Sequence, residues 1–415
     1  MKPFFINSNI AINKKDILSY ENLMSAIAGN TGNSYITYAL IKTVFGKIKK
    51  LNHIQNIYNY DFSKQDVDIE KINNECSHVF LILQDQIRIS ESYGLQLPYE
   101  NIKNFIKKLN KPVIIAGLGA NSFEGFDKDF HKKLKPELID FLKFLSDNCK
   151  KIGIRGEYTQ EVLHNIGIDN TSVIGCPSYY EMGENRIIAK KENLNYKKIL
   201  LTSYFPIEFL VRNYQIMQDN QEEYFIKACA YNEIDENIHE FNLNKLIQKK
   251  YKIFSNIEQW KKFVSKFDFA VGNRLHGSIL SINSGTLAIC CNPDSRATEM
   301  CNYLKIPHCL NLNEQNFKEI YNSIDVDLIN NSYKDLYKKY LLFLEENDLK
   351  ITQNIPSKEA IKLQKIKLYG FSTKAKLLKI KYKRIIKEKL SILEIKYRHL
   401  IKFIRHLYKL IIIRY

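Results

Sequence analysis

The segment FDFAVGNRLHGSILSINSGTLAICCNPDSR, residues Phe267–Arg296, indicates the fold class. It begins with an apolar run, Phe267–Val271, that has the length and aromatic content of a buried strand. A glycine turn follows, and apolar residues at helical spacing then run from Leu275 to Ile282. A second apolar run, Thr286–Cys290, reads as the next buried strand. This strand–helix–strand unit predicts an α/β protein with a parallel sheet.

The turn between the first strand and the helix carries Asn273, Arg274 and His276. The pattern puts them at the carboxyl end of a strand and the start of a helix, where open α/β sheets bind ligands and free N–H groups favour anions. An arginine beside a titratable histidine suits a phosphate- or carboxylate-bearing substrate and a proton transfer. The alternative is that both residues only cap the helix or satisfy neighbouring polar groups.

Three phrases of the sequence resemble the polysaccharide pyruvyl transferase family: GNRLHGSILSINSGTLAI (272–289), DSRATEM (294–300) and LKIP (304–307). In that family Arg-x-His at this position is the most distinctive motif. The resemblance covers roughly residues 20–310 and implies two Rossmann-like domains facing a cleft, the GT-B-like architecture. Two consecutive halves of alternating strand and helix patterns predict the same fold independently.

The pattern divides the chain into four parts. We predict an N-terminal Rossmann-like domain over 1–183, a polar linker over 184–198, and a C-terminal Rossmann-like domain over 199–350 that carries the Arg-x-His motif. We also predict a basic amphipathic helical tail over residues 351–415. Within the C-terminal domain, a helix is predicted near Phe209–Met217.

Two turns that contain glycine are candidate substrate-binding segments, because glycine lets backbone amides approach a ligand. The first precedes a predicted helix and the second follows a predicted strand. A plain turn is the alternative for the first, and the second resembles the family's loop after its central strand. In the family the first turn usually ends in Asp, whereas here it ends in Asn. The candidate residues are Gly29, Asn30, Gly32, Asn33, Gly117 and Gly119.

Two further arginines are candidate anion ligands. In the run IGIRGEYT, Arg155 directly follows a short predicted strand. This run resembles the family's arginine segment. Arg155 can instead pair with Glu157 or cap a helix. Arg296, in the Asp-Ser-Arg phrase, is a binding candidate by resemblance. Cys176, in Gly-Cys-Pro-Ser, is read as a buried structural thiol in preference to a nucleophile.

The net charge of +17 is concentrated in the tail, where residues 355–415 hold 18 Lys or Arg against 3 Glu. The rest of the chain is nearly neutral, so we expect no nucleic-acid binding. Apolar residues recur every three or four positions through residues 374–415 against a basic face, which predicts a helix on an anionic membrane surface. The alternative is a packing or oligomerisation helix.

The eight cysteines are scattered without a CxxC spacing, which favours free thiols in a reducing cytosol over disulfides or zinc. The N-terminus does not resemble a signal peptide, and no stretch is apolar enough to span a membrane. We therefore expect a cytoplasmic protein, peripheral at the inner face of the plasma membrane.

The resemblance implies the transfer of pyruvate from phosphoenolpyruvate to two hydroxyls of a sugar in a lipid-linked or nucleotide-linked polysaccharide precursor. His276 would then be the acid and base, and Arg155 and Arg274 would bind the donor. No metal or cofactor is expected, since no Asp-x-Asp follows a buried strand and neither dinucleotide nor P-loop motifs occur. Two alternatives remain: a metal-independent glycosyltransferase using a nucleotide-sugar, and a non-catalytic, membrane-associated assembly protein.

Overall fold

The structure is a computed structural model. It describes residues 3–8, 31–46, 52–55, 68–89, 98–122, 125–202, 215–218, 251–254, 257–291, 293–309, 317–349 and 351. The predicted membrane-binding segment 374–415 lies outside the described residues, and so do Gly29 and Asn30.

The first half of the chain forms a parallel sheet. Its strands, in chain order and with one short extra pair, are β1 (Pro3–Ser8), β2 (Asn52–Gln55), β3 (His78–Leu81), β4 (Ile87–Arg88), β5 (Val113–Leu118), β6 (Ala120–Asn121), β7 (Ile152–Ile154) and β8 (Thr171–Val173). Its helices are α1 (Thr31–Leu40), α2 (Ile69–Glu75), α3 (Tyr99–Ile106), α4 (Pro136–Asn148) and α5 (Glu157–His164).

Six of these strands pair in the order β2-β1-β3-β5-β7-β8 among the described residues, and β4 pairs with β6. Every pairing is parallel. The central strands are continuous apolar runs because both faces of the sheet are covered. The strand order reverses between β1 and β3.

The second half forms another parallel sheet. Its elements are β9 (Ile199–Leu201), β10 (Gln215–Gln218), β11 (Tyr251–Ile253), α6 (Ile257–Val264), β12 (Phe269–Gly272), α7 (Leu275–Asn283), β13 (Leu287–Cys291), α8 (Ser295–Leu304), β14 (His308–Cys309), α9 (Phe317–Ser323) and α10 (Val326–Glu346). The helix predicted near Phe209–Met217 is wrong where it overlaps β10. A short apolar segment does not distinguish the two states by periodicity.

The strand order of this second sheet is β11-β10-β9-β12-β13-β14 over the described strands. It is the order of the dinucleotide-binding doubly wound fold, in which ligands bind where the order reverses. The reversal lies between β9 and β12. The prediction of an α/β protein with parallel sheets is confirmed.

The two halves share a hydrophobic core. One cluster of buried residues includes Phe5 and Phe80 from the first sheet, Val271 from the second, and Tyr340 from α10. The α10 helix contacts the first half directly: the Tyr340 ring stacks on Tyr180 at 4.5 Å, and Asn347 just beyond the helix accepts a hydrogen bond from the Lys151 backbone at 3.3 Å. The domain boundaries themselves stay a prediction.

A buried carboxylate also joins the halves. Glu181 is fully buried and pairs with Lys42, which follows α1, and with Lys261 of α6 at 2.7 Å. Two lysines neutralise one carboxylate there, and Tyr35 donates a further hydrogen bond at 3.2 Å. Burial alone would raise the pKa of Glu181, but the two lysine charges lower it. The Glu181 carboxylate therefore stays ionised, and its contacts with Tyr35 and Lys261 link α1 to α6.

Among the described helices, none has the length and apolar character needed to cross a membrane.

Candidate active site

The Arg-x-His motif lies where the second sheet reverses its strand order. β12 ends at Gly272, whose backbone approaches β9 so closely that a Cβ there would lie 2.6 Å from the Thr202 carbonyl oxygen. Arg274 is the N-cap residue of α7, and His276 lies in its first turn. Both side chains are half-buried, and Asn273 is exposed. The predicted location, at a strand end and a helix start, is confirmed.

The His276 ring is held between two segments of the first half. A Cβ on Gly32, at the start of α1, would lie 2.6 Å from Nδ1 of His276, so only glycine fits there. On the other side, Sγ of Cys176 lies 3.7 Å from Nε2 of His276 and 3.0 Å from Oγ of Ser178. Gly32 was predicted to let backbone approach a ligand; in the structure, its missing side chain makes room for the histidine.

Cys176 is buried beside this ring. Burial raises the pKa of its thiol, although the nearby Arg155 charge and the Ser178 hydroxyl act in the opposite direction. A thiol that stays protonated is a poor nucleophile. The interpretation of Cys176 as a structural thiol agrees with this, but its contact with His276 brings it into the site.

Arg155 lies directly after β7, with its side chain buried at 3% exposure. Its Nε donates to the Gly117 carbonyl at 3.0 Å, and its backbone N–H donates to the Leu118 carbonyl at 2.9 Å. A Cβ on Gly119 would lie 2.5 Å from Cδ of Arg155. The missing side chain of Gly119 thus makes room for Arg155, whereas Gly117 has a φ of 82°, in the left-handed region that favours glycine.

Asp85 is the centre of an arginine cluster, which we define as Arg88, Arg155 and Arg296 around this carboxylate. Nη1 of Arg296 lies 2.6 Å from Asp85, and its Nε lies 2.9 Å from Asp294. Burial would raise the pKa of Asp85, but the three guanidinium charges hold it well below its usual range. Asp85 is therefore ionised and orients Arg296.

The backbone before Asp85 is in an uncommon conformation. Gln84 has a φ of 55°, in the left-handed region, and its carbonyl accepts a hydrogen bond from Gly119 at 2.7 Å. Non-glycine residues in this region are uncommon and are often found near functional sites. This turn orients the Asp85 carboxylate toward Arg296, which belongs to the other half of the chain.

Glu299 of α8 is a second buried carboxyl group at the contact between the halves. Its Oε1 accepts a hydrogen bond from the Thr159 backbone at 2.6 Å, and its Oε2 accepts one from the Thr159 hydroxyl at 2.9 Å. Gly156, the N-cap of α5, has no side chain to accept this N–H, and a Cβ there would lie 2.3 Å from Cγ of Glu299. Glu299 thus caps α5 from the other half.

Burial raises the pKa of Glu299 to about 7, against the hydrogen bonds from Thr159 and the Arg155 charge. Because the folded protein holds this proton more tightly than the unfolded chain, the stability that it contributes is fully present below about pH 4.5 and is lost as the pH rises toward 7. The total loss is about 3 kcal/mol. We expect the Glu299→Gln variant to lack this loss, as measured by urea unfolding at pH 5 and pH 7.5. Glu161→Gln, at an exposed position of α5, should retain it.

Neutralising Asp85 should destabilise the fold, because Asp85→Asn leaves the arginine charges uncompensated. Breaking a buried pair costs about 3–5 kcal/mol, but Arg296 keeps 37% of its side chain exposed, so we expect about 2 kcal/mol. Urea unfolding measures the loss. Asp129→Asn removes an exposed pair with Lys132 and should cost under about 1 kcal/mol. Equal effects of the two variants would contradict the buried role of Asp85.

The structure thus brings most of the predicted site residues together. His276 contacts Gly32, Arg155 lies between Gly117 and Gly119, and the Arg155 charge acts on both Cys176 and Asp85. Asp85 and Glu299 were not predicted as site residues. Among the described residues, no group of three or more His, Cys, Asp or Glu is arranged to hold a metal ion.

The fold and this site define a class of α/β protein with an Arg-x-His motif at the switch point of a doubly wound sheet. The family model for polysaccharide pyruvyl transferase matches residues 30–295, well over half of the chain. The chain belongs to the polysaccharide pyruvyl transferase family and is a transferase. A comparison with curated protein sequences found no match.

Several solved structures are similar in outline. UDP-N-acetylglucosamine 2-epimerase from Rickettsia bellii is 12% identical, with a TM-score of 0.38 over 83% of this chain and 96% of that one. Anabaena HepE in complex with UDP is 8% identical, with a TM-score of 0.33 over 84% and 96%. A functionally uncharacterised protein from Klebsiella pneumoniae is 14% identical, with a TM-score of 0.37 over 75% and 93%. The fold assignment rests on the sheets described above.

Proposed function

We propose that this protein transfers pyruvate from phosphoenolpyruvate onto a sugar of a cell-surface polysaccharide precursor, forming a cyclic ketal. The observation that carries the proposal is the Arg274–His276 motif at the switch point of the second sheet, where Cys176 contacts His276 and is acted on by the Arg155 charge. In this proposal the two halves form a GT-B-like pair facing a shared cleft. Membership of the pyruvyl transferase family supports the reaction class.

The donor carries a phosphate and a carboxylate, and the charges near the motif suit both. The arginine cluster and Arg274 supply four cations. Asp85 and Asp294 offset two of them, and an ionised Glu299 would offset a third, so positive charge is in excess in either protonation state of Glu299. The backbone N–H groups in the first turn of α7 add a partial positive charge. We propose that Arg274 and Arg155 bind the donor. Arg296, which Asp85 orients, is a further candidate for binding it.

His276 is the proposed acid and base. Its imidazolium protonates the methylene carbon of the enol, and the adjacent carbon becomes cationic and is attacked by a sugar hydroxyl, whose proton returns to His276. Phosphate then leaves and restores the cationic carbon, and a second hydroxyl attacks that carbon to close the ketal while its proton passes to the departing phosphate. The phosphate is a stable leaving anion, so the proposed chemistry uses no metal or cofactor.

The acceptor in this proposal is a lipid-linked or nucleotide-linked sugar. A lipid-linked acceptor would suit the basic amphipathic sequence of residues 374–415, which we propose binds the anionic inner face of the plasma membrane from the cytoplasm. Membrane binding by residues 374–415 and pyruvyl transfer at the site do not depend on each other. Each proposal can therefore be refuted without the other.

The proposal is tested by product formation. The protein is incubated with phosphoenolpyruvate and with lipid-linked oligosaccharides extracted from a polysaccharide-producing bacterium. We expect inorganic phosphate to be released only when the acceptor is present, and a pyruvate ketal to appear on the sugar by mass spectrometry. Release of phosphate without a ketal would contradict pyruvyl transfer.

A glycosyltransferase activity with a nucleotide-sugar is the second candidate. The dinucleotide-binding strand order of the second sheet favours it, because nucleotides bind at such switch points. Sugar transfer from a nucleotide-sugar that is independent of phosphoenolpyruvate would establish this activity instead.

A further inference from the structure

Two cysteines lie side by side at the edge of the second sheet. In the pairing of β13 with β14, Cys291 is directly opposite Cys309, and their sulfur atoms are 3.6 Å apart. Neighbouring strands are about 4.8 Å apart, which lies within the range of Cα separations that a disulfide spans. Both thiols are free in the structure.

The two thiols differ in exposure and in acidity. Cys309 is half-buried on the edge strand, whereas Cys291 is 3% exposed. The hydrogen bond between them lowers the pKa of Cys309 and raises that of Cys291, and burial raises the latter further. Cys309 is therefore the member that reaches solvent and ionises first, and Cys291 is placed behind it to react second.

We propose that Cys291 and Cys309 are a reversible disulfide site, oxidised by peroxide. The Cys309 thiolate attacks the peroxide, which breaks the O–O bond, gives a sulfenic acid and releases one water. The Cys291 sulfur then attacks the Cys309 sulfur and expels a second water. Two thiols and one hydrogen peroxide thus give one disulfide and two waters.

The bond would close a loop around α8. The loop runs from Cys291 to Cys309 and contains Asp294, Arg296 and Glu299. Oxidation therefore ties together both ends of the segment that contributes Arg296 and Glu299 to the contact between the halves. It restricts the unfolded chain, so the oxidised protein should unfold at a temperature several degrees higher.

A second cysteine pair provides an internal competitor. Cys290 points to the other face of β13, where its thiol interacts with that of Cys301 on α8. Both are buried, at 0% and 1% exposure. If proximity alone decided the reaction, this pair would oxidise equally well. We predict that Cys290 and Cys301 do not form a disulfide, because both thiols are buried.

The test is peroxide treatment of the full chain, followed by tryptic mapping without reduction. We expect a linked pair of peptides, residues 275–296 joined to 306–318, which dithiothreitol separates. Cys309→Ser should abolish the link, and Cys301→Ser should keep it. A link between 275–296 and 297–305, terminal oxidation without a link, or no change would each overturn the proposal.

Discussion

Replacing His276 with glutamine should reduce the rate of pyruvyl transfer by about 10²–10⁴-fold, the contribution typical of a general acid or base. Glutamine is similar in size, but its amide neither releases nor accepts a proton near neutral pH. Because Arg274 and Arg155 remain, phosphoenolpyruvate should bind with nearly unchanged affinity. The measurement is kcat from phosphate release, together with the Kd of phosphoenolpyruvate from calorimetry.

His164→Gln is a matched control for this variant. His164 is at the end of α5, 70% exposed and paired with Asp169, so its replacement should leave both kcat and Kd unchanged. A His276 variant that keeps full kcat would remove the histidine from the mechanism. The non-catalytic assembly role, which tolerates its loss, would then be favoured.

Gly32→Ala should have the second-largest effect, although Gly32 is far from His276 in sequence. The added Cβ would lie 2.6 Å from Nδ1 of His276, so the ring has to move. A displacement of about 1 Å at a reacting group can cost about 10²-fold in rate. We expect such a fall in kcat with the circular dichroism spectrum unchanged.

Gly46→Ala separates this effect from a general disturbance of the first helix. Gly46 has a φ of 63°, and a Cβ there meets nothing within 4 Å. Alanine in the left-handed region should lower stability by about 1 kcal/mol and leave kcat unchanged. If both glycine variants lost the same activity, the contact between Gly32 and His276 would not be the cause.

The central unit of the second sheet was predictable from sequence because its signals are local. Phe267–Val271 was predicted as a strand, and β12 is Phe269–Gly272; the following helix and strand were placed within a residue or so of α7 and β13. Glycines mark the breaks between these elements. The strand-end position of Arg274 and His276 follows directly from that pattern.

The carboxylates of the site could not be found this way. Asp85 and Arg296 are 211 residues apart, and Thr159 and Glu299 are 140 apart, so their roles depend on how the two halves pack. Glu299 lies within the quoted DSRATEM phrase, but on a helix a lone Glu reads as a solvated residue. The strand β1 was also missed, although Phe4, Phe5 and Ile6 form a short apolar run at the start of the chain.

The most direct test of the central claim is ligand-induced stabilisation of the wild-type protein and of Arg274→Ala, with Lys197→Ala as an exposed control. A ligand at 100 times its Kd adds about 2.7 kcal/mol to the free energy of unfolding, which is visible as a rise in Tm. We predict that phosphoenolpyruvate raises Tm of the wild type and of Lys197→Ala but not of Arg274→Ala, while UDP-glucose does not raise Tm. A rise with UDP-glucose alone would contradict pyruvyl transfer and point to a glycosyltransferase.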